Sequence, residues 1–135
     1  MFNSIRKLFI LLLALSSISF GCKFITEGKQ KLANYCPGLK ISDPGMTYAY
    51  SNGKAFYVID YDQSSQEAVK AYFENKENGF ADEKDGDFYN LTLDDKPVIE
   101  KTDNILGKTL KHSKGNTEVI FNESTRRIII IENSD

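Results

Sequence analysis

The feature that most constrains the fold is the dipeptide Asn52-Gly53, which lies between two runs of β-forming residues. Asn and Gly tolerate the positive φ angles of a primed two-residue turn, so this dipeptide predicts a β-hairpin. A two-residue turn also sets the strand register, which opposes Tyr50 to Ala55 and Tyr48 to Tyr57. Because side chains alternate along a strand, one face of the hairpin collects large apolar residues. The residues expected on that face are Tyr48, Tyr50, Tyr57, Ile59 and Tyr61.

This tyrosine face has two competing interpretations. Tyrosine offers an apolar ring and a hydroxyl, so an exposed face of tyrosines suits the binding of a glycan or a peptide. A sheet of this size must also bury one side, and that need favours packing of the same face on the helix that follows. The candidate binding residues are Tyr48, Tyr50, Tyr57 and Tyr61.

A single well-delimited helix is predicted after the hairpin. Ser64 and Glu67 have the spacing of a capping box, and Gly79-Phe80 has the pattern of a glycine C-cap with its trailing hydrophobic contact. Lys70 and Glu74 are four residues apart on the outer face and can pair weakly. The apolar residues that recur on the inner side are Ala68, Val69, Tyr72 and Phe73.

Beyond the helix the hydrophobic period changes to two and turn signals arrive at short intervals, which predicts several antiparallel strands. The apolar run Ile128 to Ile131 indicates a central strand covered on both faces, or a strand that needs a partner, with Glu118 to Asn122 as its hairpin mate. The strands are expected near residues 80–84, 87–93, 98–101, 106–112, 117–122 and 127–132.

These elements predict an α+β fold, with an antiparallel sheet of about five to eight strands and one principal amphipathic helix packed on one face. The strand, capped turn and helix ending at Gly79-Phe80 resemble small exported bacterial domains of unknown function, and that resemblance implies only the fold. The chain divides into a signal peptide at 1–21, a tether and irregular lead-in with room for one short helix at 22–45, and a single domain at 46–135.

The first 22 residues indicate export. Arg6 and Lys7 precede an apolar run of 13 residues from Leu8 to Phe20, which is shorter than the roughly 20 residues that span a bilayer. Its end, with Gly21 before Cys22, resembles the lipobox of bacterial lipoproteins, in the relaxed form found in spirochaetes. The resemblance implies that Cys22 is acylated and anchors the chain to a membrane of the cell envelope. The alternative is an ordinary signal peptidase that cuts after Gly21 and releases a secreted protein.

The chain has two cysteines, Cys22 and Cys36, and their chemical states differ between these alternatives. Acylation of Cys22 leaves Cys36 alone, either buried, in an intermolecular disulfide or reactive. Without acylation, a bridge between Cys22 and Cys36 would close a loop of about 15 residues. A catalytic Cys36 is the sharpest hypothesis, but the single histidine, His112, lies far along the chain and nothing in the sequence places it as a base.

The charge distribution argues against nucleic acid. Removal of the leader leaves 15 basic and 19 acidic residues, and residues 60–103 hold 13 carboxylates against five lysines. The densest cluster, Asp82 to Asp87 with Asp94 and Asp95 nearby, has the oxygen ligands that calcium prefers. An EF-hand alignment fails, because it places Ala81 at the first ligand position and Thr92 at the twelfth, so a weak, irregular calcium site is the residual alternative to a solvated acidic turn.

No metal site, cofactor motif or catalytic constellation follows from these patterns. We therefore expect an envelope lipoprotein that acts as a non-catalytic binding or interaction module, with the membrane as one partner and a protein or glycan as another. The alternatives are a soluble secreted protein with a Cys22–Cys36 disulfide, a small envelope enzyme that uses Cys36, and a purely structural envelope protein.

Overall fold

The computed structural model describes residues 27–134 of the chain. Residues 27–35 are helical and are called α1, and the second helix, α2, is Gln66–Glu74. Three 3-10 turns lie at Gln63–Ser65, Lys76–Asn78 and Asp87–Asn90. The strands are β1 (Gly45–Ser51), β2 (Lys54–Asp60), β3 (Ala81–Asp82), β4 (Thr92–Leu93), β5 (Lys96–Pro97), β6 (Ile105–His112), β7 (Gly115–Asn122) and β8 (Arg127–Ser134).

Six of the strands form one antiparallel sheet in the order β1-β2-β8-β7-β6-β3, and β4 pairs with β5 in a separate ribbon. The α+β class and the antiparallel sheet are therefore confirmed. Asn52 and Gly53 have φ angles of 51° and 77°, and the hairpin register pairs Tyr50 with Ala55 and Tyr48 with Tyr57, as the turn predicts.

Strand β8 lies in the middle of the sheet, between β2 and β7. Residues Ile128 to Ile131 are each fully buried, because side chains that point to opposite faces are covered on both. The continuous apolar run thus belongs to a central strand with two covered faces, as its sequence indicates.

The first face of the sheet packs against the two helices, and we call the buried cluster there the helix-side core. Phe73 of α2 stacks on Phe121 of β7 with ring centroids 4.6 Å apart and an interplanar angle of 5°. Phe80 contacts Phe73 edge-on at 4.7 Å. The other buried members are Leu32, Cys36, Leu39, Ile41, Ile59, Tyr61, Val69, Val119, Ile128 and Ile130.

The second face is covered by the segment 87–104, which forms a loop-side core with β2, β7 and β8. The strands predicted at 87–93 and 98–101 are wrong: residues 87–90 form a 3-10 turn, and only residues 92–93 and 96–97 are paired. Phe88 and Leu91 are three residues apart, a spacing that a 3-10 turn directs to one side and a strand does not. Both side chains are buried in the loop-side core, together with Val98 and Ile99.

The boundaries of α2 also differ from the prediction. The helix begins at Gln66 after a 3-10 turn, and its N-cap Ser65 makes no side-chain capping bond, so the expected capping box does not form. It ends at Glu74, because Asn75 is extended, and Gly79 instead ends the following 3-10 turn with φ of 80°. Lys70 and Glu74 do pair, with 3.8 Å between Nζ and Oε1.

Residues 27–41, which the sequence places in the lead-in before the domain, contribute to the helix-side core through Leu32, Cys36, Leu39 and Ile41. Helix α1 lies on the same face of the sheet as α2, so two helices rather than one cover that face. Within residues 27–134 no helix combines the length and the apolar character needed to cross a bilayer.

Candidate functional site

The tyrosine surface is the part of the hairpin formed by Tyr48 and Tyr50 of β1 and Tyr57 of β2. In the described part of the chain, Tyr48 and Tyr50 are the large apolar side chains classed as exposed, at 55% and 69%. Every other large apolar side chain there is buried or half-buried, so these two rings are the aromatic groups that a macromolecular partner reaches first.

Tyr57 is half-buried and lies between the exposed Tyr48 and Tyr50 and the helix-side core. Its ring centroid lies 5.3 Å from that of Tyr48, and the Lys31 ammonium stands 4.5 Å from its centroid. Lys31 also forms an ion pair with Glu132 of β8. Partial burial lowers the pKa of Lys31, but the hydrogen bond and charge of Glu132 outweigh it, so the pKa lies above its ordinary value.

Tyr61, the fourth candidate, does not belong to this surface. It is 6% exposed within the helix-side core, and its hydroxyl donates a hydrogen bond of 2.7 Å to Gln66 Oε1. Burial, with the nearby negative charge of Glu123, raises the pKa of Tyr61 to about 12. The structure thus brings Tyr48, Tyr50 and Tyr57 together and separates Tyr61, because α2 covers that end of the face.

Strand β1 forms one edge of the sheet, and among the described strands it pairs with β2 alone. The turn-flanking pair Ser51 and Lys54 of a two-residue hairpin exchanges hydrogen bonds, so every second residue of β1 directs its backbone groups away from β2. Those residues are Met46, Tyr48 and Tyr50. Their N–H and C=O groups face outward on the same strand that carries the exposed rings.

The turn end of this edge is held in place by the segment 90–92. The Ser51 hydroxyl accepts a hydrogen bond of 3.1 Å from the backbone N–H of Thr92 and lies 3.2 Å from its Oγ1. Asn52 donates through its amide to the carbonyl of Asn90. These contacts hold one end of the exposed strand in a defined position.

Cys36 has the surroundings of a packed side chain rather than a nucleophile. It is fully buried, and burial raises the pKa of its thiol to about 12, against a smaller opposing effect of Lys108. A thiol with that pKa holds almost no thiolate at neutral pH. His112 is exposed at the end of β6, where its Nε2 lies 3.3 Å from Thr117 Oγ1.

A second surface is an acidic cleft of about 1320 Å³ beside β3 and the start of β6. Two lysines, Lys84 and Lys101, are its basic lining residues, so its electrostatic character is negative. The Oε2 atom of Glu118 is buried there without a hydrogen-bond partner. The lining carboxylates are Glu74, Asp82, Glu83, Asp85, Asp87, Asp103, Glu118 and Glu123.

The cleft overlaps only partly with the acidic cluster seen in the sequence. Asp82 to Asp87 line it, whereas Asp94 and Asp95 do not; these two residues form the β4–β5 turn, with φ angles of 53° and 63°. Glu74, Asp103, Glu118 and Glu123 come from distant segments, and no local motif marks them. Across residues 27–134, no three His, Cys, Asp or Glu side chains are grouped so as to hold a metal ion.

The acylation candidate Cys22 lies outside the described residues. Comparison with known proteins adds no relative: no family model, curated protein or solved structure matches the chain significantly.

Proposed function

We propose that this protein is a bacterial envelope lipoprotein, anchored through an acylated Cys22, that acts as a non-catalytic interaction module. The lipobox-like end of the leader supports the anchor, because a cysteine directly after a small residue at the end of a short apolar run is the acylation signal of such proteins. The buried Cys36 supports a role without thiol chemistry.

The observation that carries the interaction role is the exposure of Tyr48 and Tyr50 on an edge strand with outward backbone groups. Tyrosine gives large contact areas at low entropic cost and is enriched in protein interfaces. We favour a protein partner over a glycan, because the N–H and C=O groups along β1 match those of another extended chain.

The anchor is tested by the intact mass of the mature protein and by its partition between detergent and water. We expect the native chain to carry acyl mass and enter the detergent phase, and Cys22→Ser to lose both. Cys36→Ala is the matched control and should retain both. An unmodified native chain that starts at Cys22 and is lighter by two hydrogens would instead establish the Cys22–Cys36 disulfide and a secreted protein.

The contact surface is tested by photo-crosslinking in the bacterium that encodes the chain. A benzophenone amino acid replaces Tyr48 or Tyr50 in the full-length protein. Thr109 is the control position, because it is exposed on β6, near the edge of the sheet opposite β1. We expect discrete protein adducts from positions 48 and 50 and none from 109. Equal yields at all three positions would contradict the assignment of the surface.

A further inference from the structure

We infer that the partner of the β1 edge is a second copy of this chain, and that the two β1 strands pair antiparallel about a two-fold axis through Tyr48. This inference rests on the proposed function, because it identifies the protein that the tyrosine surface contacts. It follows from the pattern of outward groups, the uncharged composition of β1 and the length of this strand, which contains neither lysine nor proline.

One self-complementary register pairs every outward residue of β1. With the axis at Tyr48, each Tyr48 opposes Tyr48 of the second copy, and each Met46 opposes Tyr50. These are the three residues of β1 whose backbone groups point away from β2. The pairing therefore satisfies all six outward N–H and C=O groups of each strand and places three aromatic or thioether side chains of each copy on one shared face.

The charges on β1 also permit self-pairing. Residues 44–53 contain no charged side chain, although 27% of the chain is charged. In the two-fold register Asp43 opposes Gly53 of the second copy, so no like charges meet along the strand. A partner that carried a basic or acidic segment would find no complementary charge on this strand.

Edge strands in natural proteins are protected by lysine, proline, bulges, short length or a helix or loop that covers them. Strand β1 has seven residues, and none of them is lysine or proline. At the opposite edge, β3 is only two residues long, and beyond its contact β6 carries the half-buried Lys108 and the exposed Lys111 and His112. Within residues 27–134, lysine and short length thus protect the β3 edge, whereas the seven residues of β1 include neither lysine nor proline, which fits a sheet that extends through β1.

The test is disulfide crosslinking of full-length variants in the envelope of the native host, with differently tagged copies. In the proposed register the Cα atoms of the two Tyr48 residues are about 5.5 Å apart, within the range that a disulfide bridges. The two Tyr50 residues are displaced by four positions and lie more than about 13 Å apart. Tyr50→Cys is therefore a matched control that is more exposed than the test position.

We expect mild oxidation to convert most Tyr48→Cys protein to a homodimer and to leave Tyr50→Cys and the native chain monomeric. A mixture of Met46→Cys and Tyr50→Cys copies should form a mixed dimer that neither variant forms alone. In each variant, Cys36 should remain inaccessible to a thiol reagent, and this measurement verifies that the fold is intact.

Equal crosslinking of the variants at positions 48 and 50 would overturn the register, since it indicates random collision. Adducts of Tyr48→Cys with a different protein would overturn the second copy as partner but leave the interaction role in place. Absence of any adduct at position 48, by disulfide or by benzophenone, would overturn both.

Discussion

The tyrosines on one face of the β1–β2 hairpin differ in exposure because the helices cover only part of that face. Tyr61 lies beneath α2 and is buried, Tyr57 is half-covered near Lys31, and Tyr48 and Tyr50 extend past the covered region. All four are tyrosines, and the alternation of side chains along the hairpin assigns all four to the same face. At the scale of single residues, the covering element therefore decides which tyrosine is exposed and which is packed in the core.

Cys36 yields a direct prediction at this scale. Because its thiol is buried and its pKa is raised to about 12, we expect no reaction with a thiol reagent at pH 8 in the folded Cys22→Ser protein. The same protein in denaturant should react stoichiometrically. The measurement is the release of the reagent's chromophore over time, and rapid labelling in the folded state would contradict the buried position.

Single elements of this fold are stabilised in different ways. Strand β8 has hydrophobic neighbours on both faces, whereas the β1–β2 hairpin depends on the geometry of its turn and the outer edge of β6 is largely solvated. Substitutions in these elements should therefore have effects of different size and origin.

For β8, we expect Ile129→Ala and Ile130→Ala each to lower the free energy of unfolding by about 2–5 kcal/mol, because each leaves a cavity in a different core. Thr109→Ala on the exposed part of β6 is the control and should change it by less than about 0.5 kcal/mol. The measurement is urea denaturation. A strand with only one covered face would tolerate one of the two isoleucine substitutions.

For the turn, we expect Gly53→Ala to lower the free energy of unfolding by about 1–2 kcal/mol. Gly53 has φ of 77°, where a Cβ is disfavoured even though open space surrounds the position. Gly45→Ala is the matched control, since Gly45 lies in β1 without a positive φ and a Cβ there meets only ordinary contact with Asp60 at 4.0 Å. If both variants lose equal stability, the turn conformation is not the cause.

The whole molecule is a sheet with a core on each face, formed by two helices on one side and the segment 87–104 on the other. Several titratable groups are held at the helix-side core and at its margin. Burial raises the pKa of Cys36 from 9.0 to about 12 and that of Tyr61 from 10.0 to about 12, and it also raises the pKa of Tyr72.

These shifts predict a loss of stability at alkaline pH. Between about pH 9 and pH 12 the unfolded chain releases protons that the folded chain retains, so the free energy of unfolding falls as pH rises. Each such group contributes at most about 1.4 kcal/mol per pH unit. Urea denaturation at pH 8, 9.5 and 11 measures the decline. The double variant Cys36→Ala, Tyr61→Phe should show a shallower one, and an identical slope would contradict the assignment.

Local patterns predicted much of the fold, because they depend on residues close together in the chain. The Asn52-Gly53 turn determined the hairpin register, the run Ile128 to Ile131 indicated a central strand, and the change of period from helix to strands indicated the α+β class. The prediction of strands within segment 87–104 was wrong because its apolar residues pack against the second face of the sheet. That face is formed by strands distant in the sequence, so a short stretch of sequence does not reveal it.

The sequence by itself determined the Asn52-Gly53 turn, the pairing within the β1–β2 and β7–β8 hairpins and the class of fold, because turn angles and side-chain alternation act over a few bonds. Only the tertiary structure decided the burial of Cys36, the separation of Tyr61 from Tyr48 and Tyr50, and the assembly of the acidic cleft. Each of these depends on which distant segment covers a given face. Which segment covers which face is determined by the burial of apolar area over the whole molecule, and a short sequence pattern does not contain that information.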